Sequence, residues 1–443
     1  MSEREGRRLR DSSMFKLLTM GGLILVLLIP LAMVRSLIAE REGRRTQAVE
    51  QVAENWGASQ TLGGPVLTIP FRTSQYSRTD AKFLPETLNI EARLLPERRS
   101  RGIFEAVLYR AHFAVTGTFR PDFAAWNAQP KDALWDEASL AIGLTDLRGL
   151  RRAGDFLWQG RALKLTPSGG EPGLWDSGLR TPAAGLSVAT REAAFAFALD
   201  VDGSGNLWFL PAGKQTTVTA SSPWPDPSFS GSFLPESHRV GPDGFTARWS
   251  VSYFGRTYPQ QWRAEGEGQP VENVVRCSRF GLSLFLPADS YQMTERAQKY
   301  AILFLLLTFI TFFLYELWSP VAIHPVQQLL VGAALCIFYL LLLSISEHLP
   351  FGPSYAVAAA ATILLITGYA MAILGGRARA LLLGLILTVL YGFLYVLLQA
   401  EDYALLLGSI GLFAILALVM VLTRRVNWRN PREQPVAPPA PAR

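Results

Sequence analysis

Glu316, Glu347 and His348 stand at the ends of long apolar runs of this chain. Acids and imidazoles at membrane depth are costly, and by default they are candidates for proton relay, ion binding or substrate contact. All three stand within about one turn of an interface, where snorkelling and water lower that cost. The residues therefore leave two readings open. Convergence of the three on one hydrated cavity would mark a transport path or a membrane-embedded active site. Separation toward the two interfaces would mark groups that hold helix ends in place.

Other chemistry is poorly represented. His112 and His238 are far apart, and no His-x3-His or Cys-x2-Cys spacing occurs, so no metal site is expected. Gly213-Lys214 is not a phosphate loop: Trp208 stands where the first glycine belongs and Gln215 follows the lysine. There is no Gly-x-Ser-x-Gly elbow, and Ser237-His238 near Asp243 is a composition that any surface turn can show. No catalytic residue and no cofactor is expected.

The elements that must position the three candidates are apolar segments. Hydrophobic residues make up 49% of the 443, and they concentrate in 17–34 and in nearly everything after Tyr300, which places the chain among membrane proteins. The organising stretch is Asp289–Glu316 (DSYQMTERAQKYAILFLLLTFITFFLYE), polar up to Lys299 and apolar from Tyr300. The run Tyr300–Trp318 approaches the ~20 residues needed to cross a ~30 Å hydrocarbon layer. Val326–Ser346, Tyr355–Leu374, Ala380–Leu398 and Tyr403–Thr423 follow, each 19 to 21 residues long and uncharged. With Leu17–Val34, whose flank lacks a small-x-small cleavage site, these make six spans, one N-terminal and five C-terminal. Gly384, Thr388 and Gly392 recur every four residues, a pattern that lets helices approach closely.

Charge sets the orientation. Basic residues 1–16 precede the first span, Arg377 and Arg379 lie in the connector Gly375–Arg379, and Arg424, Arg425 and Arg429 follow the last span. Glu401 and Asp402 fall on the opposite side. The Lys/Arg bias then places both termini in the cytoplasm and exports the middle of the chain. The net charge of +6 is largely accounted for by these flanks, which touch anionic lipid, and gives no reason to expect nucleic acid. Residues 424–443 read as a disordered Pro-rich cytoplasmic tail. Cys277 and Cys336 fall in different compartments, so no disulfide is expected.

The exported segment, 35–298, begins with a helical extension of the first span, Ser36–Trp56, and then changes character. Phe, Val and Tyr crowd Ile103–Val115, and Phe195–Leu199 and Leu207–Leu210 flank the Gly-rich stretch Asp200–Asn206, which reads as a hairpin turn. Frequent Gly and Pro favour a large, mainly β domain such as a sandwich, folding as one unit between the first and second spans of an α+β membrane protein. Phe-Leu-Pro recurs at Phe83–Pro85, Phe209–Pro211, Phe233–Pro235 and Phe285–Pro287, with the related Leu94–Pro96; these read as strand ends closed by proline or as traces of a duplicated unit. Residues 299–423 then form a five-helix bundle. Glu347 ends a helix, where the dipole disfavours an acid. It is expected to find a partner near Arg296 or Lys299 and so to dock the exported domain or its neck onto the bundle.

Several of these segments resemble the CreD family of bacterial inner-membrane proteins. They are Gly63–Pro70 (GGPVLTIP), Trp224–Pro235 (WPDPSFSGSFLP), the YQ-T-RA-KYA core of Asp289–Glu316, His324–Gly332 (HPVQQLLVG) and Phe338–His348 (FYLLLLSISEH). They occur in order over most of the chain, which departs mainly in its long basic N-terminus and Pro-rich tail. The resemblance implies an inner-membrane protein of envelope integrity or envelope stress, under two-component regulation, with no established catalysis.

Two functional classes follow. One is a non-enzymatic envelope protein whose exported β domain contacts an envelope protein or peptidoglycan. The other is a transporter or membrane-embedded enzyme that uses Glu316, Glu347 and His348.

Overall fold

The computed structural model describes residues 13–424 except 74–77, 123–129, 172–173, 188–189, 264–273, 276, 285–289, 319–322, 374–375 and 401–402. The basic residues 1–12, Phe285–Pro287, Glu401, Asp402, Arg425 and the Pro-rich tail beyond it lie outside the described residues. The chain forms two compact units, a helical one of Met1–Glu42 with Ala288–Arg443 and a β-rich one of Gly43–Pro287.

The described residues of the β unit hold eighteen strands. In chain order they are β1 (Gln60–Arg72), β2 (Arg78–Phe83), β3 (Thr87–Arg101), β4 (Phe104–Phe119), β5 (Ser139–Leu144), β6 (Leu150–Ala153), β7 (Phe156–Trp158), β8 (Arg161–Leu163), β9 (Thr166–Ser168), β10 (Gly178–Pro182), β11 (Ala193–Ser204), β12 (Asn206–Phe209), β13 (Gln215–Ser222), β14 (Pro227–Gly231), β15 (Ser237–Gly241), β16 (Gly244–Ser252), β17 (Gln261–Arg263) and β18 (Phe280–Leu284). Sheet A has the order β14-β18-β12-β1-β5-β10-β9, with β2 on β1 and β17 on β2. Sheet B has the order β15-β16-β13-β3-β4-β11-β7-β8, with β6 also on β11. Pairing is antiparallel except at β1·β12 and β3·β13.

Alternation explains why these segments are strands. On β3, Leu88, Ile90, Ala92 and Leu94 are buried while Asn89, Glu91, Arg93 and Leu95 are exposed, the period of two that one covered face requires. The inner faces meet through aromatic rings: Phe113 of sheet B stands edge-on to Phe209 of sheet A at 6.4 Å, and Trp249 lies 5.9 Å from Phe280. The β-sandwich expected from the turn-rich composition is therefore present. Strand β1 departs from alternation, being buried continuously from Leu62 to Ile69. Its outer face is covered by the segment after β9, whose Glu171 and Trp175 lie against Thr68 and Gly63.

Two local expectations fail. The segments Phe195–Leu199 and Leu207–Leu210 do not form a hairpin: β11 pairs with β4, β6 and β7 in sheet B, whereas β12 pairs with β1 and β18 in sheet A. The glycine-rich stretch carries β11 on to Ser204, and Gly205, at φ +62°, then passes the chain from one sheet to the other. Proline ends a strand at Phe83–Pro85 and Phe209–Pro211, but Pro96 lies inside β3 opposite Tyr109. Pairing of β13 with β3 stops at Arg93, so the following residues border a free edge where a missing N–H is tolerated.

The helices are α1 (Ser13–Trp56), α2 (Ser290–Lys299), α3 (Ala301–Trp318), α4 (Pro325–Ser346), α5 (Phe351–Ile373), α6 (Arg377–Gln399) and α7 (Ala404–Thr423). The expected helical extension of the first span is part of α1, whose residues through Glu42 belong to the helical unit and the rest to the β unit. Five described helices are long and apolar enough to cross a bilayer, and a sixth span is reached if α2 and α3, bent by 41° at Tyr300, count together. Inside the bundle Phe338 of α4 and Tyr391 of α6 meet at 4.6 Å, and Phe304 of α3 lies 5.0 Å from Tyr391. Gly384 brings α6 close to α5: a Cβ there would stand 2.5 Å from Thr367 Oγ1. Gly392 has nothing within 4 Å, so the small-residue pattern is used at one end only.

Candidate functional site

The segment His324–Gly332 shows how the bundle places its polar groups. His324 is the N-cap of α4, its Nδ1 accepting from Val326 N at 3.3 Å while Gln327 Oε1 accepts from His324 N at 3.0 Å. Pro325 follows at the first helical position, where a missing N–H costs nothing. One turn on, Gln328 is buried and donates from Nε2 to Glu316 Oε1 at 3.1 Å, and Ile323 N donates to the same oxygen at 3.2 Å. Glu316 is 8% exposed, and these donors replace the water it has lost. Gly332 leaves room for Leu27 of α1, since a Cβ there would stand 2.2 Å from Leu27 Cδ1.

Glu347 lies at the other end of α4, as its C-cap. Its Oε1 accepts from the Tyr291 hydroxyl of α2 at 3.2 Å and faces Arg41 of α1 at 3.7 Å. The expected neighbours Arg296 and Lys299 do not contact it among the described residues; Lys299 pairs with Glu295 one turn back at 3.2 Å. The reason lies in α1, which brings Arg41 to this end of the helix from more than 300 positions away in sequence. Arg41 also supplies the positive charge that a carboxylate at a helix C-terminus needs. The segments of Asp289–Glu316 and Phe338–His348 thus meet at the Tyr291–Glu347 bond. His348 is exposed, its N–H directed to Ile345 O at 3.0 Å.

The structure does not bring the three candidates together. Gln328, which holds Glu316, is in the first turn of α4 and Glu347 follows the last, a separation of about 30 Å at 1.5 Å per residue. Among the described residues no group of three or more His, Cys, Asp or Glu side chains is arranged to hold a metal ion.

Local sequence patterns did not reveal two polar clusters in the β unit. The segment between β9 and β10 lays Glu171, 2% exposed, against Lys82 Nζ (3.4 Å), Arg180 Nη2 (2.8 Å) and Thr68 Oγ1 (3.3 Å). The same segment sets the Trp175 indole on three glycines in register across neighbouring strands, Gly63, Gly143 and Gly178. A Cβ at Gly143 would stand 2.4 Å from that ring.

The second cluster surrounds Trp56, the last residue of α1. Arg99 lies 4.3 Å from its indole, and Arg110 and Arg151 each lie 5.4 Å away. Arg151 and Arg110 share the buried Asp202, at 2.5 and 3.8 Å. Beneath them Gln60 bonds the carbonyls of Asp146 and Asp202, and the Asp146 carboxylate accepts from Ala58 N and Arg148. Burial raises the Asp146 pKa, but the hydrogen bonds from Arg148 and the two N–H groups outweigh it and leave the acid below its ordinary value. The only local signal of this cluster is the run Glu97–Arg101, ERRSR.

Comparison with known proteins now bears on the two units together. The family described as inner membrane protein CreD matches residues 12–429. Inner membrane protein CreD of Escherichia coli (strain K12) is 32% identical over 432 residues, which cover 95% of this chain and 94% of that protein. The chain belongs to the CreD family. It is accordingly an inner-membrane protein of the envelope, and its multiple apolar helices fit a multi-pass CreD protein. Glu316, held at the start of α4, and Glu347, at its end, both lie within the matched region.

Proposed function

We propose that this CreD-family chain is a non-enzymatic protein that supports envelope integrity or the response to envelope stress. It crosses the inner membrane six times with both termini in the cytoplasm, and its β unit lies in the periplasm and binds an envelope protein or peptidoglycan. The observation that carries the reading is the separation of Glu316 from Glu347 along α4. Each acid is held by donors at its own helix end, as expected of groups that fix a bundle. A transporter or membrane-embedded enzyme using Glu316, Glu347 and His348 would need them to converge, and their separation counts against it. The charge asymmetry of the connectors supports the orientation.

Reporter fusions at Gln215 and after Thr423 test the topology: the first is expected to report from outside and the second from the cytoplasm, and a cytoplasmic signal at Gln215 sinks it. Partner binding is tested with a photo-crosslinking residue at Phe254, a ring 92% exposed in the β unit. Crosslinks to an envelope protein or to glycan strands are expected, and their absence in growing cells contradicts the partner.

A further inference from the structure

We infer that the cavity beside Trp56 binds a carboxylate-bearing sugar. The cavity measures about 290 Å³ and lies between the last turn of α1 and the β3–β4 hairpin, with Asn55, Trp56, Arg99, Ser100, Arg101 and Leu108 on its wall. That space is too large for a lone oxyanion and too small for a folded partner. It is close to the lower end of the range for small-ligand sites.

The wall offers three kinds of contact. Arg99 and Arg101 alternate along β3 and supply planar guanidiniums, which recognise carboxylates in a bidentate manner. The Arg101 and Ser100 side chains have no hydrogen-bond or ion-pair partner among the described residues, whereas Arg99 is engaged by Glu97 at 2.9 Å. Asn55 and Ser100 provide donors and acceptors suited to ring hydroxyls or an acetamido group. Leu108 and the indole supply an apolar wall of the sort a pyranose C–H face packs against.

The surroundings favour an anion. Arg110 and Arg151 share the single carboxylate of Asp202, which leaves one positive charge over next to Trp56. In the neighbouring cross-strand row Arg93, His112, Asp200 and Arg152 stand opposite one another, with one acid between two arginines. A local excess of positive charge draws acidic ligands and repels none.

This inference rests on the proposal that the β unit faces the periplasm. The test uses the full-length protein in detergent and titration calorimetry. The probes are N-acetylmuramic acid, neutral N-acetylglucosamine and inorganic phosphate. Saturable binding of N-acetylmuramic acid is expected, with no heat from N-acetylglucosamine. Affinity should fall at least about tenfold in Arg101→Gln at an unchanged melting temperature. Arg99→Gln serves as a second variant. Absence of binding, equal binding of either control, or an unchanged affinity in both variants overturns the inference. A cytoplasmic Gln215 fusion would instead overturn the proposed orientation, whatever the calorimetry gives.

Discussion

Glu171 in the β unit and Glu316 in the helical unit are both buried carboxylates, and they are stabilised differently. Glu171 sits between two cations, Lys82 and Arg180, with Lys82 itself 3% exposed. Glu316 takes a main-chain N–H and a glutamine amide, both supplied by the start of the next helix. Helix starts have free N–H groups to offer, and two of the donors to Glu316 come from one. The middle of a sheet face has none to spare, and a buried acid there needs cations brought by other strands. Removing an acid should therefore do more damage where it leaves a buried cation behind than where it leaves neutral donors.

The largest expected effect follows directly. Glu171→Ala takes the carboxylate away from the buried Lys82 ammonium, a loss of about 3–5 kcal/mol. At roughly 2–4 °C per kcal/mol for a unit of this size, calorimetry should show the β-unit transition falling by about 10 °C. A shift below about 2 °C would mean that the triad does not stabilise the unit. Glu316→Ala leaves the Ile323 N–H and the Gln328 amide unpaired and should cost about 1–3 kcal/mol. Glu316→Gln, which keeps an acceptor oxygen, should recover most of that in the same melt.

Gly143→Ala sharpens the comparison from the other side, because the atoms nearest an added Cβ belong to Trp175 and not to the ion triad. The collision should cost about 1–3 kcal/mol. The effect should shrink in a Trp175→Ala background, whereas full additivity in the double variant would show that the glycine row does not seat the indole. The smallest effect is expected at Glu347→Gln. Arg41 is partly exposed and 3.7 Å away, and the Tyr291 bond survives the change, so about 0–1 kcal/mol is expected in detergent.

Acid should weaken the β unit through Asp146. The Asp146 pKa is depressed in the folded state, so its contribution to the β unit is complete above the unfolded carboxylate value of about 3.9. That contribution is lost as pH falls below 3.9 through the lower folded value. Melting temperatures recorded from pH 6 to pH 3 should decline less steeply in Asp146→Asn than in the parent chain. Parallel curves would exclude Asp146 as a contributor.

The sequence was most informative where structure is local. Uninterrupted apolar runs located every helix from α3 to α7 to within a few residues, because crossing length and helical rise leave little freedom. The break at Tyr300 was less visible, since no Pro or Gly marks it. The crowding of Phe, Val and Tyr identified β4, but it could not show that Asp200–Asn206 carries the chain between sheets, because strand partners are chosen by distant segments. Glu347 was legible as an acid in need of a partner, and Arg41 was not legible as that partner for the same reason. The triad of Lys82, Glu171 and Arg180 draws on three separate segments and leaves no spacing to read.

We propose that the β unit faces the periplasm while the helical unit holds the membrane, and the chain's two cysteines test this most directly. Cys277 is exposed in the β unit and Cys336 is buried in α4. A membrane-impermeant maleimide applied to intact spheroplasts should label Cys277, and Cys277→Ser should abolish the labelling while Cys336→Ser leaves it unchanged. Labelling that appears only after the membrane is broken would contradict the account.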